Sequence, residues 1–119
     1  MPSLWLEYVV MSEQQIEQKI NDKGLNAPRL NPQHIDNCIV AGQYHVFPGT
    51  TTTVCCLTLV NGFTVVGESA CASSENFDEE IGREIAFKNA REKIWLLEGY
   101  LLRDHLSKTE YGVSGAVSG

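Results

Sequence analysis

The 119-residue chain contains no apolar run near the roughly 20 residues that a membrane-spanning helix needs. Residues 1–10, MPSLWLEYVV, also lack the cationic start, the long apolar centre and the small-residue cleavage site of a signal peptide. The composition, 43% hydrophobic and 20% charged, is ordinary for a soluble protein. We therefore expect a soluble domain.

Positive charge is scarce, with nine Lys and Arg residues against fifteen Asp and Glu residues. The formal net charge of −6 and the pI of about 4.9 argue against general attraction to a nucleic-acid backbone. A local cluster of cations that binds a smaller anion remains compatible with this balance.

Spaced cysteine pairs and catalytic signatures are also missing. The four cysteines form no CxxC motif, and Cys55 and Cys56 point to opposite faces of a strand, so we interpret the cysteines as small core residues in a reducing compartment. Three histidines match no zinc spacing, and neither a GxSxG elbow nor a phosphate loop is present. We predict no metal, no cofactor and no enzymatic activity.

The length predicts one domain, which we place at residues 11–107. Residues 1–10 are interpreted as an extension, because Met11 resembles a natural start. Residues 108–119 end in a run of small residues and are predicted to be a flexible tail.

Two short helices are predicted before any strand. Ser12 and Gln15 form a capping-box pattern and Gly24 is a stop, which predicts a helix from Glu13 to Lys23. Asn31 is a second helix cap, and Pro32 is a residue that favours the first turn of a helix. Together they predict a second helix from Pro32 to Ala41.

Alternating apolar residues then predict an antiparallel sheet of three or more strands. The predicted strands are Gln43 to Phe47, Val54 to Val60 and Phe63 to Ser69. Asn61-Gly62 favours a two-residue type I′ turn, which would pair Val60 with Phe63.

That register places Cys55, Leu57, Leu59 and Val66 on one face and Cys56, Val60, Phe63 and Val65 on the other. Neither face is polar, and helices of so short a chain can cover only one of them. We therefore predict an oligomer in which a second copy covers the other face.

The C-terminal part is predicted to form two helices on the sheet. Ser73 or Ser74 can cap the first, which carries small residues every fourth position at Gly82, Ala86 and Ala90. Glycine at position 99 is expected to end that helix, and a last one runs from Tyr100 to Ser107. The predicted fold class is α+β.

Cations, an amide and aromatic rings recur on these helices. Lys88 and Arg91 lie on one row of the helix surface, as the i, i+3 spacing requires, and Asn89 adjoins them. Phe77 precedes the first turn, and Arg103 lies on the last helix. Side chains of these kinds suit a ligand that contains a phosphate and a base. The alternative is that Lys88 and Arg91 form ordinary ion pairs with Glu84 and Glu92 at the surface.

The block from Asn61 to Leu106, with its segments NGF, GESAC, ENFD and EGYLLR, and the upstream APRLNPQHID resemble a family of small proteins of tailed bacteriophages. The length and the order of elements also look like the Thoeris anti-defence sponges. Those phage proteins sequester cyclic ADP-ribose isomers made by bacterial TIR-domain defence enzymes. Some also hold cyclic di- or trinucleotides of the related CBASS (cGAS-like) defence, in separate pockets of a hexamer.

This resemblance implies a dimeric or hexameric protein of the host bacterial cytoplasm that binds a cyclic nucleotide without turnover. It implies no role for a membrane or a nucleic-acid polymer. Ligand contacts in the family come from an aromatic near the start of the long helix, from cations and from an amide, at subunit interfaces. The matching candidates are Phe77, Lys88, Asn89, Arg91 and Arg103. Two alternatives are a phage protein that binds and inhibits a host protein, and a hydrolase that degrades the nucleotide.

Overall fold

The computed structural model describes residues 13–25 and 27–110 of the chain. In chain order the elements are helix α1 (13–22), helix α2 (Pro32–Asn37), strands β1 (Ile39–Val46), β2 (Thr52–Leu59) and β3 (Thr64–Ala70), a 3-10 turn (Ser74–Asn76) and helix α3 (Glu79–Glu110). The strands form one antiparallel sheet in the order β1-β2-β3, and α3 packs across β2 and β3. The predicted α+β class is confirmed.

The hairpin between β2 and β3 has the predicted position but a different register. Leu57 pairs with Val65, whereas a two-residue turn would pair it with Val66. The N–H of Leu59 donates to the carbonyl oxygen of Phe63 at 2.8 Å, so the connecting loop has three residues. The predicted register is wrong by one residue.

The backbone of the turn explains this shift. Gly62 has a φ of 89°, and no described residue other than glycine has a positive φ. A type I′ turn requires a positive φ at both central residues, which Asn61 does not adopt here. A three-residue loop that closes on one left-handed glycine is the common alternative.

The register decides which residues of β3 face α3. A shift by one residue moves every side chain of a strand to the other face. Accordingly Val65 is 4% exposed and faces the helix, while Val66 is 45% exposed on the opposite face. Cys55 and Cys56 do point to opposite faces, as predicted, and only Cys55 is fully buried.

The core lies between the sheet and the helices. Its buried apolar members are Ile35, Cys38, Cys55, Leu57, Leu59, Val65, Ala86, Ala90 and Ile94. The predicted small-residue stripe on α3 packs against β3. No helix within residues 13–25 and 27–110 packs on the opposite face of the sheet, where half-buried Val54 and Cys56 adjoin exposed Val66.

Local sequence accounts for the short helices. Gly24, with a φ of 65°, terminates α1, and Leu25 N–H donates to Ile20 O at 3.2 Å, as at a Schellman end. Asn31 caps α2 by accepting the His34 N–H at 2.8 Å. The prediction that α2 extends to Ala41 is wrong, because its last predicted residues pair with β2 as the start of β1.

Helix α3 is continuous over 32 residues, so the predicted break at Gly99 and the separate last helix are wrong. Asp78 caps its start by accepting the Ile81 N–H at 3.0 Å, so the predicted cap at Ser73 or Ser74 is wrong. Glycine inside a helix costs only about 1 kcal/mol relative to alanine, and the good helix formers on both sides offset that cost. No helix among the described residues is long and apolar enough to cross a membrane.

The predicted domain limits are only partly within the described residues. Helix α3 includes residues 108–110, so the prediction that the flexible tail begins at residue 108 is wrong. Residues 1–12 and 111–119, with the predicted extension, the Ser12 cap and the rest of the tail, lie outside them.

Candidate functional site

A groove of about 900 Å³ lies between α1, α3 and Tyr44 of β1, on the face of the sheet that the helices cover. Its apolar lining comes from Phe87 of α3, Pro32 of α2 and the ring of Tyr44 on β1. Burial, and next the neighbouring Cys55 thiol, raise the pKa of the Tyr44 hydroxyl. That hydroxyl is therefore protonated and able to donate at neutral pH.

Carboxylates outnumber cations around this groove. The acidic side chains are Glu13, Glu17, Asp36, Glu80, Glu84 and Glu92, and the basic ones are Arg83, Lys88 and Arg91. The groove is thus negative in total, with its cations on the α3 side.

Arg91 connects three helices from the edge of the groove. Its guanidinium donates two hydrogen bonds to Glu13 of α1, at 3.0 and 3.1 Å, and one to Asp36 of α2 at 2.8 Å. A fourth hydrogen bond reaches the carbonyl oxygen of Pro32 at 3.1 Å. Burial alone would lower the pKa of Arg91, but the hydrogen bonds to Glu13 and Asp36 outweigh it and raise that pKa.

A second arginine holds α1 in the same way. Arg29 donates to both carboxylate oxygens of Glu17, at 2.8 and 3.1 Å, and to the carbonyl oxygen of Leu30 at 3.0 Å. None of the side chains at 13–22 is buried. The wall of the groove that α1 forms is therefore held chiefly by paired guanidinium–carboxylate bonds.

The structure brings two of the predicted ligand residues to this groove and separates the other three. Lys88 and Arg91 line it. Phe77 lies just before α3, where a Cβ added to Gly82 would be 3.5 Å from its ring. Arg103 follows Lys88 by fifteen positions, which is about 22 Å along the helix axis. The predicted residues do not converge within one chain.

Asn89 instead protects the edge of the sheet. Its side-chain amide donates to the carbonyl oxygen of Glu68 at 2.7 Å, and Lys93 donates to that of Val66. Both carbonyl groups belong to β3, one of the two edge strands of the sheet. Side chains of α3 thus satisfy carbonyl oxygens of β3 that could otherwise accept hydrogen bonds from a further strand.

The distal half of α3 extends past the core. Its last fully buried residue is Ile94, and beyond it Leu96, Leu97, Tyr100 and Leu101 are 78%, 39%, 78% and 59% exposed. We call these four residues the distal patch. Arg103, three positions after Tyr100, lies on the same side of the helix as that ring.

Sequence reasoning missed a cluster where α2 meets α3. His34 Nε2 lies 2.8 Å from Glu98 Oε1, and the Cys38 thiol is 3.4 Å from the same oxygen. Burial, and next the hydrogen bond to Glu98, raise the pKa of Cys38. The four-residue spacing of His34 and Cys38 at one helix could have indicated this proximity, but Glu98 is sixty positions away.

The chain is a small α+β protein in which α1, α3 and Tyr44 of β1 form a groove of about 900 Å³. The Phage protein (N4 Gp49/phage Sf6 gene 66) family matches residues 30–106, which is more than half of the chain, and the chain belongs to this family. The expected phage family is confirmed, while the relation to the Thoeris proteins stays a prediction. No curated protein and no solved structure matches the chain.

Proposed function

We propose that this phage protein binds and sequesters a cyclic nucleotide immune signal in the host cytoplasm without cleaving it. The candidate ligands are cyclic ADP-ribose isomers and cyclic di- or trinucleotides. The observation that supports the proposal is the groove, which places aromatic rings and cations side by side. Its volume of about 900 Å³ is within the range of small-ligand sites, about 300 to 1,000 Å³.

The chemistry of the groove gives each part of the ligand a partner. Phe87 and Tyr44 offer faces for a base, and stacking of this kind is worth about 1 to 3 kcal/mol per base. Arg83 and Lys88 are the cations of the α3 side that can approach phosphate. Arg91 binds Glu13 and Asp36, so it contributes to phosphate binding only after a ligand displaces Glu13.

The proposal includes an oligomer. The distal patch and the uncovered face of the sheet leave apolar side chains in water, and a second copy is the partner that such surfaces on a small protein commonly meet. Two copies that pair through the distal patch would bring Arg103 and Tyr100 of each chain to a shared interface. In that arrangement Arg103 contributes to a ligand site formed by residues of both copies.

The test uses the purified full chain with a cyclic ADP-ribose isomer and with cyclic dinucleotides. Calorimetry measures the affinity, and heating followed by mass spectrometry identifies what is released. We expect intact nucleotide, whereas fragments would support the hydrolase alternative and overturn sequestration.

Variants locate the binding site. Replacing Arg83 and Lys88 together by alanine should weaken binding at least about tenfold, because both cations line the groove. Lys108→Ala is the matched control, since this exposed lysine pairs with Asp104 near the end of α3. If Arg103→Ala alone abolished binding while the groove variants bound normally, the site would lie at the distal patch instead.

A second candidate function follows from the excess of carboxylates in the groove. A basic helix or segment of a host protein would meet complementary charge there, as the interaction-protein alternative requires. Binding of a host protein would be supported if none of these nucleotides changed the melting temperature and if a cationic helical peptide bound in a salt-sensitive way. Charge-neutral variants of Glu80 and Glu84 should weaken that peptide binding.

A further inference from the structure

Three side chains of the kinds that bind transition metals converge between α2 and α3. The ligating atoms of His34, Cys38 and Glu98 all lie within 4.8 Å of one another. His34 and Cys38 belong to the same end of α2, and Glu98 approaches from the middle of α3. This cluster is separate from the groove, since none of the three residues lines it.

The separations match the edges of a metal coordination shell. They are 2.8 Å from His34 Nε2 to Glu98 Oε1, 3.4 Å from Cys38 Sγ to that oxygen, and 3.8 Å from Sγ to Nε2. A tetrahedral zinc ion with bonds of about 2.0 to 2.3 Å requires ligand separations of about 3.3 to 3.7 Å. Each observed separation is within about 0.5 Å of that requirement.

A catalytic reading of the same residues fails on geometry. In a Cys-His-carboxylate triad the acid holds one ring nitrogen, and the other nitrogen faces the thiol. Here Glu98 and Cys38 both face Nε2 of His34. Because both partners approach the same ring nitrogen, His34 does not lie between thiol and carboxylate as a proton relay requires, whereas three ligating atoms within 4.8 Å of one another suit a shared cation.

We propose that His34, Cys38 and Glu98 form a zinc-binding site that joins α2 to α3. The fourth position of the tetrahedron belongs to water. Nitrogen, sulfur and oxygen ligands together favour Zn²⁺ over Mg²⁺ and Ca²⁺, which select oxygen alone. Solvent reaches the site from the side of His34, whose side chain is 49% exposed.

Charge and protons balance on binding. The Cys38 thiol releases its proton to the buffer and binds through sulfur, His34 binds as neutral imidazole, and Glu98 binds as carboxylate. The two anionic ligands then neutralise the charge of the ion.

The experiment titrates the full, untagged chain with Zn²⁺ and with Co²⁺ under a phosphine reductant, with Mg²⁺ as the negative control. We expect one ion per chain at micromolar protein, a higher melting temperature with Zn²⁺, and a thiolate-to-cobalt charge-transfer absorption. Cys38→Ser should remove that absorption. His34→Gln, at an exposed position, should weaken zinc binding about 100-fold or more.

Matched controls are Cys71→Ser and His45→Gln, which change the same residue types outside the cluster. Both controls should bind like the wild-type chain. Absence of zinc uptake by the wild-type chain would overturn the proposal. So would an undiminished cobalt absorption in Cys38→Ser, or unchanged affinity in His34→Gln. None of these three results bears on nucleotide binding, because the groove does not contain the residues of the cluster.

Discussion

Gly67 sets the distance between the sheet and α3 because it has no side chain. A Cβ at this position would overlap the backbone nitrogen of Ala90 and the carbonyl oxygen of Ala86. The sequence did predict the small-residue stripe on α3, from its four-residue repeat. It could not identify the glycine that faces the stripe, because that depends on the register of β3.

We predict that Gly67→Ala destabilises the fold by at least about 3 kcal/mol, since backbone atoms cannot move aside as a flexible side chain can. Urea denaturation followed by circular dichroism measures the loss. Gly42→Ala is the control, because its Cβ would meet only the end of the Leu57 side chain, at 3.2 Å, and that of Tyr44, at 4.0 Å. A similar small effect for both variants would contradict the close contact.

Thr53 gives a prediction of opposite sign. Its side chain is fully buried, and its hydroxyl has no hydrogen-bond partner among the described residues. Thr53→Val should therefore stabilise the protein by about 1 kcal/mol, because the valine keeps the shape and removes the buried polar group. Thr52→Val, at a half-buried neighbour, should change stability by less than about 0.5 kcal/mol. A destabilised Thr53→Val protein would contradict this reading.

At the level of elements, the sequence predicted which segments form helices and strands better than where they end. Strand pairing overrode the helical pattern at Ile39, whose partner is Leu59 of β2. At Gly99 the prediction gave one glycine too much weight, because the good helix formers on both sides offset a cost of only about 1 kcal/mol. Local propensity does not contain the pairing of Ile39 with Leu59.

The continuity of α3 predicts that Gly99→Ala stabilises the protein. Alanine gains about 1 kcal/mol over glycine inside a helix, and space for its Cβ exists. Thermal denaturation measures the gain. The same change at Gly24, which has a φ of 65° at the end of α1, should lower stability instead. Destabilisation by Gly99→Ala would indicate that the helix is broken there after all.

The contacts of Arg91 predict that α1 is held less firmly when this residue is replaced. Arg91→Gln should lower stability by about 1 to 3 kcal/mol, because Glu13 and Asp36 lose their shared, largely buried partner. Hydrogen exchange should accelerate in α1 and hardly change in β2. Arg83→Gln, at an exposed position of the groove, is the control and should leave the exchange of α1 unchanged. Equal protection of α1 in both variants would contradict the role of Arg91.

For the whole molecule, the shape of α3 is the main indication of assembly. A 32-residue helix is about 48 Å long, whereas an eight-residue strand is about 26 Å, so α3 extends well beyond the sheet. The sequence predicted association from the sheet, and the distal patch adds a second surface. The helical spacing predicted Arg91 as a candidate site residue. Its partners Asp36 and Glu13 are 55 and 78 positions away, so the sequence could not show how the site is built around it.

The distal patch predicts the behaviour of the molecule in solution. Leu97→Glu combined with Leu101→Glu should reduce the mass measured by light scattering, because buried charge opposes a helix–helix interface. Leu25→Glu, also at an exposed leucine but near the end of α1, should leave the mass unchanged. A wild-type chain that is a monomer at all concentrations would contradict the prediction.

Helix α1 closes the groove through the arginine pairs of Glu13 and Glu17 and without a single buried side chain. A phosphate group carries the same sign of charge as these carboxylates and competes for the same guanidinium groups. Binding of a phosphorylated ligand and displacement of α1 would then be a single exchange of one anion for another. Rising ionic strength would weaken the attachment of α1 before it weakened the sheet.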